Sequence, residues 1–158
     1  MKRLDPVTPD KALEILNKVR FFDVFNSSEK AILTGFYSHF LVAPKDDQII
    51  AQGADDQSFY IILSGSVSVR HRQGSQPLAT LEPGDIFGEM SFLTDCARTT
   101  SIYAEMTTIV FEVNRATLNS LDSQVREKLK DKIICVLASR LTRMNQTVIT
   151  LTQIAEPD

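Results

Sequence analysis

The run SFYIILSGSVSVR, residues 58–70, constrains this chain more than any other stretch. Its side chains alternate with a period of two. Phe59, Ile61, Leu63, Val67 and Val69 fall on one side, and Tyr60, Ile62, Ser64, Ser66 and Ser68 on the other. A period of two belongs to strands. TIVFEV, residues 108–113, alternates again through Ile109, Phe111 and Val113. Between about His39 and Asn114, turn chemistry interrupts the pattern at APKDD, QGADDQS, RQGSQP and EPGD. Many short strands at this spacing predict an antiparallel sandwich or barrel.

Helical periodicity flanks this zone. From Thr8 to about Tyr37, Thr8 is placed to cap, Pro9 suits a first turn, and Ala12, Ile15, Leu16 and Val19 recur at helical spacing. A second cap is expected at Ser27 or Ser28, before Glu29 and an apolar face of Ile32, Leu33 and Phe36. RFFDVF between the two helices is too apolar for a free linker and is expected to dock on the core. After Asn114, which caps a short helix, a longer helix starts near Ser123. Along it Ile134, Leu137, Leu141, Met144, Val148 and Leu151 are spaced 3-4-3-4-3, a heptad seam. Two readings of the seam stand: packing on its own domain, or pairing with a second copy. The β-branched tail TVITLTQI has weak helix propensity, and its last turns are expected to fray without a partner.

The 158 residues fit one domain with a helical appendage. A net charge of −3 gives no basic footprint for nucleic acid, and Arg70-His71-Arg72 reads as a solvated hairpin tip. Cys96 and Cys135 have no pairing pattern or metal spacing, so reduced thiols in a cytoplasmic protein are expected. No apolar run is long enough for a membrane span. With His39 and His71 the only histidines, a metal-binding barrel enzyme lacks its ligand cluster, and neither Cys96 nor Cys135 has a His near it in sequence. No enzymatic activity, cofactor or metal is expected.

GDIFGEMSFLTDCARTTSI, residues 84–102, carries Glu89 and Arg98 in a stretch otherwise glycine-bearing, small and apolar. Gly88 permits a close approach or a backbone conformation that a β-carbon would hinder. A short helix starting at Glu89 would leave the N–H groups of Met90 and Ser91 free to face an anion. Arg98 offers a fork of donors matched to two phosphate oxygens, and Glu89 an acceptor for a hydroxyl. Together they describe a site for a sugar phosphate with one anionic group and one free hydroxyl. The competing reading is a plain Glu89–Arg98 salt bridge.

Two stretches, IIAQGADDQSFYIILSGSVSV (Ile49 to Val69) and LEPGDIFGEMSFLTDCARTTSI (Leu81 to Ile102), resemble the cyclic-nucleotide-binding domain family. The first is similar to its strand-turn-strand with a glycine at either end. The second is similar to its phosphate-binding cassette, Phe-Gly-Glu with an arginine nine residues after the glutamate. The resemblance runs from about Leu16 to Leu141 and implies a mainly β fold with flanking helices. That fold is an antiparallel β-barrel of jelly-roll or double-stranded β-helix type, with N-terminal helices and a C-terminal hinge or lid helix. Residues 1–38, 39–114 and 115–158 would be the helical segment, the barrel and the hinge. It implies that Arg98 pairs with the cyclic phosphate, that Met90 and Ser91 amides complete the cradle, and that Glu89 accepts from the ribose 2′-hydroxyl. Gly88 would let the ligand lie close, and Thr99 would offer a hydroxyl to phosphate or guanine. Thr100 and Ala97 depart from the family's usual small apolar residue and proline.

The expected ligand is cAMP or cGMP, bound without chemistry and signalled by movement of the C-terminal helix. Expected partners are a second copy through the 134–151 seam and an effector protein. Only a short tail ending in AEPD follows the seam, so no attached DNA-binding domain is expected. The alternative is a degenerate member that serves as a dimerisation or docking module without ligand.

Overall fold

The computed structural model describes residues 1–155 apart from 5, 6, 37, 38 and 73; residues 156–158 are not described. Two antiparallel sheets form the centre. The first joins β1 (Lys2–Arg3), β2 (Phe40–Ala43), β9 (Thr108–Val113), β4 (Phe59–Ser64) and β7 (Ile86–Phe87) in that spatial order. The second joins β3 (Gln48–Ile50), β8 (Ser101–Ala104), β5 (Val67–Arg70) and β6 (Ala79–Leu81).

Every residue of β4 from Phe59 to Leu63 is buried, because the strand has packing on both faces. Phe59, Ile61 and Leu63 join Phe111 and Val113 of β9 in a core shared with the flanking helices. Tyr60 and Ile62 face the second sheet and pack with Ile50, Val67, Leu81, Phe87, Ile102 and Val110. The single alternating face read from sequence across residues 59–69 is therefore split. Gly65 turns the chain out of the first sheet with φ +88°, where a β-carbon would lie 2.5 Å from Thr108 Oγ1 and 2.7 Å from the Thr107 carbonyl. Beyond this turn Val67 and Val69 line the inter-sheet cluster instead of continuing the face of Phe59, Ile61 and Leu63.

The helices cover the outer face of the first sheet. Helix α1 (Pro9–Asn17) is capped by Thr8, whose Oγ1 accepts from the Lys11 amide at 3.3 Å, and buries Ala12 and Leu16. Phe21, Phe22 and Phe25 dock on the core as their composition requires. Helix α2 (Ser27–Thr34) is capped by Asn26, not by Ser27 or Ser28: Asn26 Oδ1 accepts from the Glu29 amide, and Glu29 Oε2 from the Asn26 amide, both at 2.9 Å. A capping box needs a glutamate three residues after its cap, a spacing that only Asn26 satisfies. Leu33 is buried and Phe36 packs against the core, whereas Ile32 faces outward. The expected helical reach to Tyr37 ends outside the described residues.

Helix α3 (Glu89–Thr94) follows β7, and α4 (Arg115–Ser120) starts at Asn114, whose Oδ1 accepts from the Thr117 amide at 2.8 Å. Helix α5 (Ser123–Ala155) begins with the Asp122 carboxylate accepting from the Val125 amide. Its first half packs through Val125, Leu129 and Ile133, a face offset from the heptad seam. Leu137 alone of the seam touches the core; Ile134, Leu141, Met144, Val148 and Leu151 are 59–62% exposed. The helix remains regular through Ala155, with every residue from Leu141 exposed. Thr142, Thr147, Thr150 and Thr152 donate their hydroxyls to carbonyls four residues back, which satisfies these poor helix formers locally. Among the described residues no helix is long and apolar enough to cross a membrane.

Lys128 Nζ ties α5 to α2, donating to Glu29 Oε2 at 2.7 Å and to the Val24 carbonyl at 3.1 Å. The Lys128 hydrogen bond, followed by the Asn26 amide, holds the Glu29 carboxyl below its ordinary value of 4.5. A carboxyl depressed on folding contributes stability above that value and loses it as pH falls through the folded value. Acid below about pH 4.5 is therefore expected to loosen this tie, and the acid-side fall in melting temperature should be shallower in Lys128→Met.

Candidate functional site

A recess of about 90 Å³ opens between the second sheet and the segment that follows β7. Its apolar wall is Ile50, Val69, Leu81, Phe87 and Ile102; its polar side is Gly88, Glu89, Met90, Ser91, Arg98, Thr99, Thr100 and Arg140. All six residues singled out in the sequence thus share one cavity. Ser91 is buried, while Met90 and Thr99 are exposed at the rim.

Gly88 makes the geometry possible. It caps α3 with φ +79°, and a β-carbon there would stand 2.7 Å from Arg98 Nη1 and 3.0 Å from the Ser58 carbonyl. The helix starts at Glu89, so the amides of Met90 and Ser91 lie in its first turn, without carbonyl partners within the helix.

Arg98 is held by backbone and side chain alike. Its amide donates to the Ala54 carbonyl at 2.9 Å, and its carbonyl accepts from the Gly53 amide at 2.8 Å. The side chain is 1% exposed. Nε donates to Asp56 Oδ2 at 3.0 Å and Nη1 to the Gly88 carbonyl at 2.7 Å. Nη2 donates to Asp56 Oδ2 and to the Ser58 carbonyl. Among the described residues these four bonds leave one of the five guanidinium N–H groups, on Nη1, without an acceptor.

Glu89 does not pair with Arg98, so the plain salt bridge between them is ruled out as the reason for both charges. Its Oε1 accepts from Arg140 Nη1 at 2.7 Å, and Arg140 Nη2 donates to the Ile86 carbonyl at 2.6 Å. One side chain from the middle of α5 therefore grips α3 at its first residue and the β7 strand before it. The polar side of the recess carries two guanidiniums and, in contact with them, two carboxylates, so its charges balance. Close by, burial first, then the Asp56 and Glu112 carboxylates, push the Tyr60 hydroxyl well above its ordinary value, so it stays protonated at neutral pH.

Asp56, Ser58 and Arg140 were missed from sequence. Asp56 sits among ordinary turn residues in QGADDQS, and Ser58 acts mainly through its carbonyl, which no side-chain pattern encodes. Arg140 precedes the seam residue Leu141, and its only sequence signal is a cation beside an apolar stripe. Cys96 and Cys135 are both free and exposed, as two unpaired thiols suggested.

Residues 40–124 match the family model described as cyclic nucleotide-binding domain. The chain belongs to this family. It is 29% identical over 119 residues to the cAMP-dependent protein kinase regulatory subunit of Debaryomyces hansenii, covering 75% of this chain and 26% of that one. It is 31% identical over 111 residues to the CRP-like cAMP-activated global transcriptional regulator of Mycobacterium tuberculosis, covering 68% of this chain and 49% of that one. The chain thus spans a quarter to a half of the length of these relatives. A cyclic nucleotide-binding domain from Methylobacillus flagellatus superposes with a TM-score of 0.72 at 25% identity, over 90% of this chain and 83% of that one.

Proposed function

We propose that this protein is a non-enzymatic sensor that binds cAMP or cGMP in the recess and reports occupancy through α5. The observation that carries the proposal is Arg98: a buried guanidinium, braced by protein acceptors yet with one N–H to spare, lining the same recess as the first-turn residues of α3. A cyclic phosphate suits this arrangement because it brings one anionic group to a charged guanidinium N–H and a pair of amides. Glu89 would accept from the ribose 2′-hydroxyl, Thr99 would bond to phosphate or guanine, and the apolar wall would take the base. We read the two sheets as halves of a flattened barrel of jelly-roll type, with the recess in its mouth.

Arg140 gives the output a physical basis. A ligand hydroxyl on Glu89 must share that carboxylate with Arg140 or displace it, so occupancy and α5 position are linked. A ligand shifts α5 only as far as its affinity differs between the two arrangements. With saturating cAMP or cGMP, hydrogen exchange should slow at the Met90 and Ser91 amides and change along residues 137–145. Unchanged exchange at both places with both nucleotides would count against the sensor.

That result would favour a docking module, the second reading. It draws on the near-complete internal pairing of Arg98 and Glu89, which leaves the site largely satisfied by its own residues.

We also propose that a second copy covers the seam of α5. Fifteen consecutive exposed residues form a helix that isolated peptides of this length hold poorly in water. Burying an apolar side chain fully contributes about 1.5–3 kcal/mol, and five seam residues are exposed. Leu141→Asp is expected to convert a sedimenting dimer into a monomer. A wild-type chain that sediments as a monomer at high concentration would refute the pairing. The changed seam, or a surface it uncovers, would engage an effector protein.

A further inference from the structure

Three of the four hydrogen bonds that hold the Arg98 side chain run to one short segment, residues 56–58. That segment is an Asx-type turn just before β4 with no ladder bonds of its own, so the help that holds its carboxylate and carbonyl in register comes from side-chain contacts. Two contacts supply it. The Ser58 amide donates to Asp56 Oδ1 at 2.9 Å, and the Ser58 hydroxyl donates to Glu112 Oε1 at 2.8 Å.

Glu112 stands out on β9. It pairs across the ladder with Tyr60, on the face where Val110 joins the inter-sheet cluster. A carboxylate at the end of an apolar face is unfavourable unless a donor meets it. Among the described residues no lysine or arginine forms an ion pair with Glu112, and its side-chain donor is the Ser58 hydroxyl. The carboxylate thus serves the turn rather than a charge partner of its own.

We infer that Glu112 is a positioning residue for the anion anchor. Through the Ser58 hydroxyl it fixes the turn that presents the Asp56 carboxylate and the Ser58 carbonyl to Arg98. Without it the turn gains freedom, and the guanidinium at the edge of the recess loses its fixed backing. The brace comes from the strand that runs directly into the cap of α4, so the anchor is held by the same chain segment that leads to the output helices.

The inference rests on the recess being the nucleotide site, but one of its readouts needs no ligand. In ¹⁵N spectra of the full chain, the Arg98 Nε–H should give a resolved signal protected from solvent exchange, since the side chain is buried and bonded to Asp56. Glu112→Ala should speed that exchange about tenfold and weaken cAMP binding about tenfold, the effect of losing one hydrogen bond to a charged group. Glu112→Gln keeps an acceptor for Ser58 and should stay within about twofold of wild type on both. Ser58→Ala should match Glu112→Ala, and the double variant should be no worse than either, because both remove one link.

Unchanged Nε–H exchange in folded Glu112→Ala, or a Glu112→Gln variant as impaired as the alanine, would overturn the inference; the latter would mean that charge, not the hydrogen bond, matters. If Glu112→Ala does not fold, Ser58→Ala and Glu112→Gln carry the same test. Wild-type protein that binds neither cAMP nor cGMP would defeat the sensor reading alone, and the exchange rates would still decide the role of Glu112.

Discussion

Arg98→Ala is expected to weaken cyclic-nucleotide binding by about 2–5 kcal/mol, which carries a micromolar Kd to between tens of micromolar and millimolar. Two losses combine. The ligand phosphate loses its guanidinium donor, and the buried carbonyls of Gly88 and Ser58 lose theirs. The second loss reaches the empty protein as well, so a lower melting temperature should accompany weaker binding. Asp56, half exposed, remains solvated, and its isolation adds little. Arg98→Lys separates the contributions: an ammonium keeps the charge but cannot reach Asp56, Gly88 and Ser58 together. It should restore only part of the affinity. A folded Arg98→Ala protein with wild-type affinity would remove Arg98 from the site.

Gly88→Ala should be nearly as damaging, and by a different route. The residue sits at φ +79°, where an L-side chain costs roughly 1–2 kcal/mol. Its β-carbon would also stand 2.7 Å from Arg98 Nη1, 3.0 Å from the Ser58 carbonyl and 3.1 Å from Ile50 Cδ1. The first of these atoms belongs to a guanidinium pinned by four hydrogen bonds, so it cannot swing away cheaply. A total of about 2–4 kcal/mol and a melting temperature lower by about 10 °C are expected. Gly53→Ala is the control. It shares the positive φ, +84°, but a β-carbon there meets nothing within 4 Å. The difference between the two variants measures the clash apart from the strain. Equal destabilisation by both would mean that close approach at Gly88 plays no part.

Local chemistry explains what the sequence disclosed. Gly88, Glu89, Met90, Ser91, Arg98 and Thr99 lie within twelve positions, so a single turn and a single short helix suffice to gather them. Thr8, Asn114 and the apolar run Phe21-Phe22 act over one turn of chain or through plain burial, and these were readable too. The partners of the charged pair were not. Asp56 reaches Arg98 across 42 positions, and Arg140 reaches Glu89 across 51. Nothing in a turn aspartate or a helix arginine announces a partner so distant. The misread strand face has a related cause: alternation continues in register through Ser64-Gly65-Ser66, while the chain moves there from one sheet to the other. The cap of α2 was misplaced although Asn26 and Glu29 show the spacing of a reciprocal box, because two serines offered themselves in between.

The central claim is that this recess holds a cyclic nucleotide on Arg98. It is tested most directly by calorimetric titration of protein freed of any carried-through ligand, with cAMP and cGMP in turn, beside Arg98→Ala under the same conditions. Saturable binding of one nucleotide at about micromolar strength to the wild type, lost in the variant, is the predicted result. Folded, ligand-free wild-type protein that takes up neither nucleotide would contradict it.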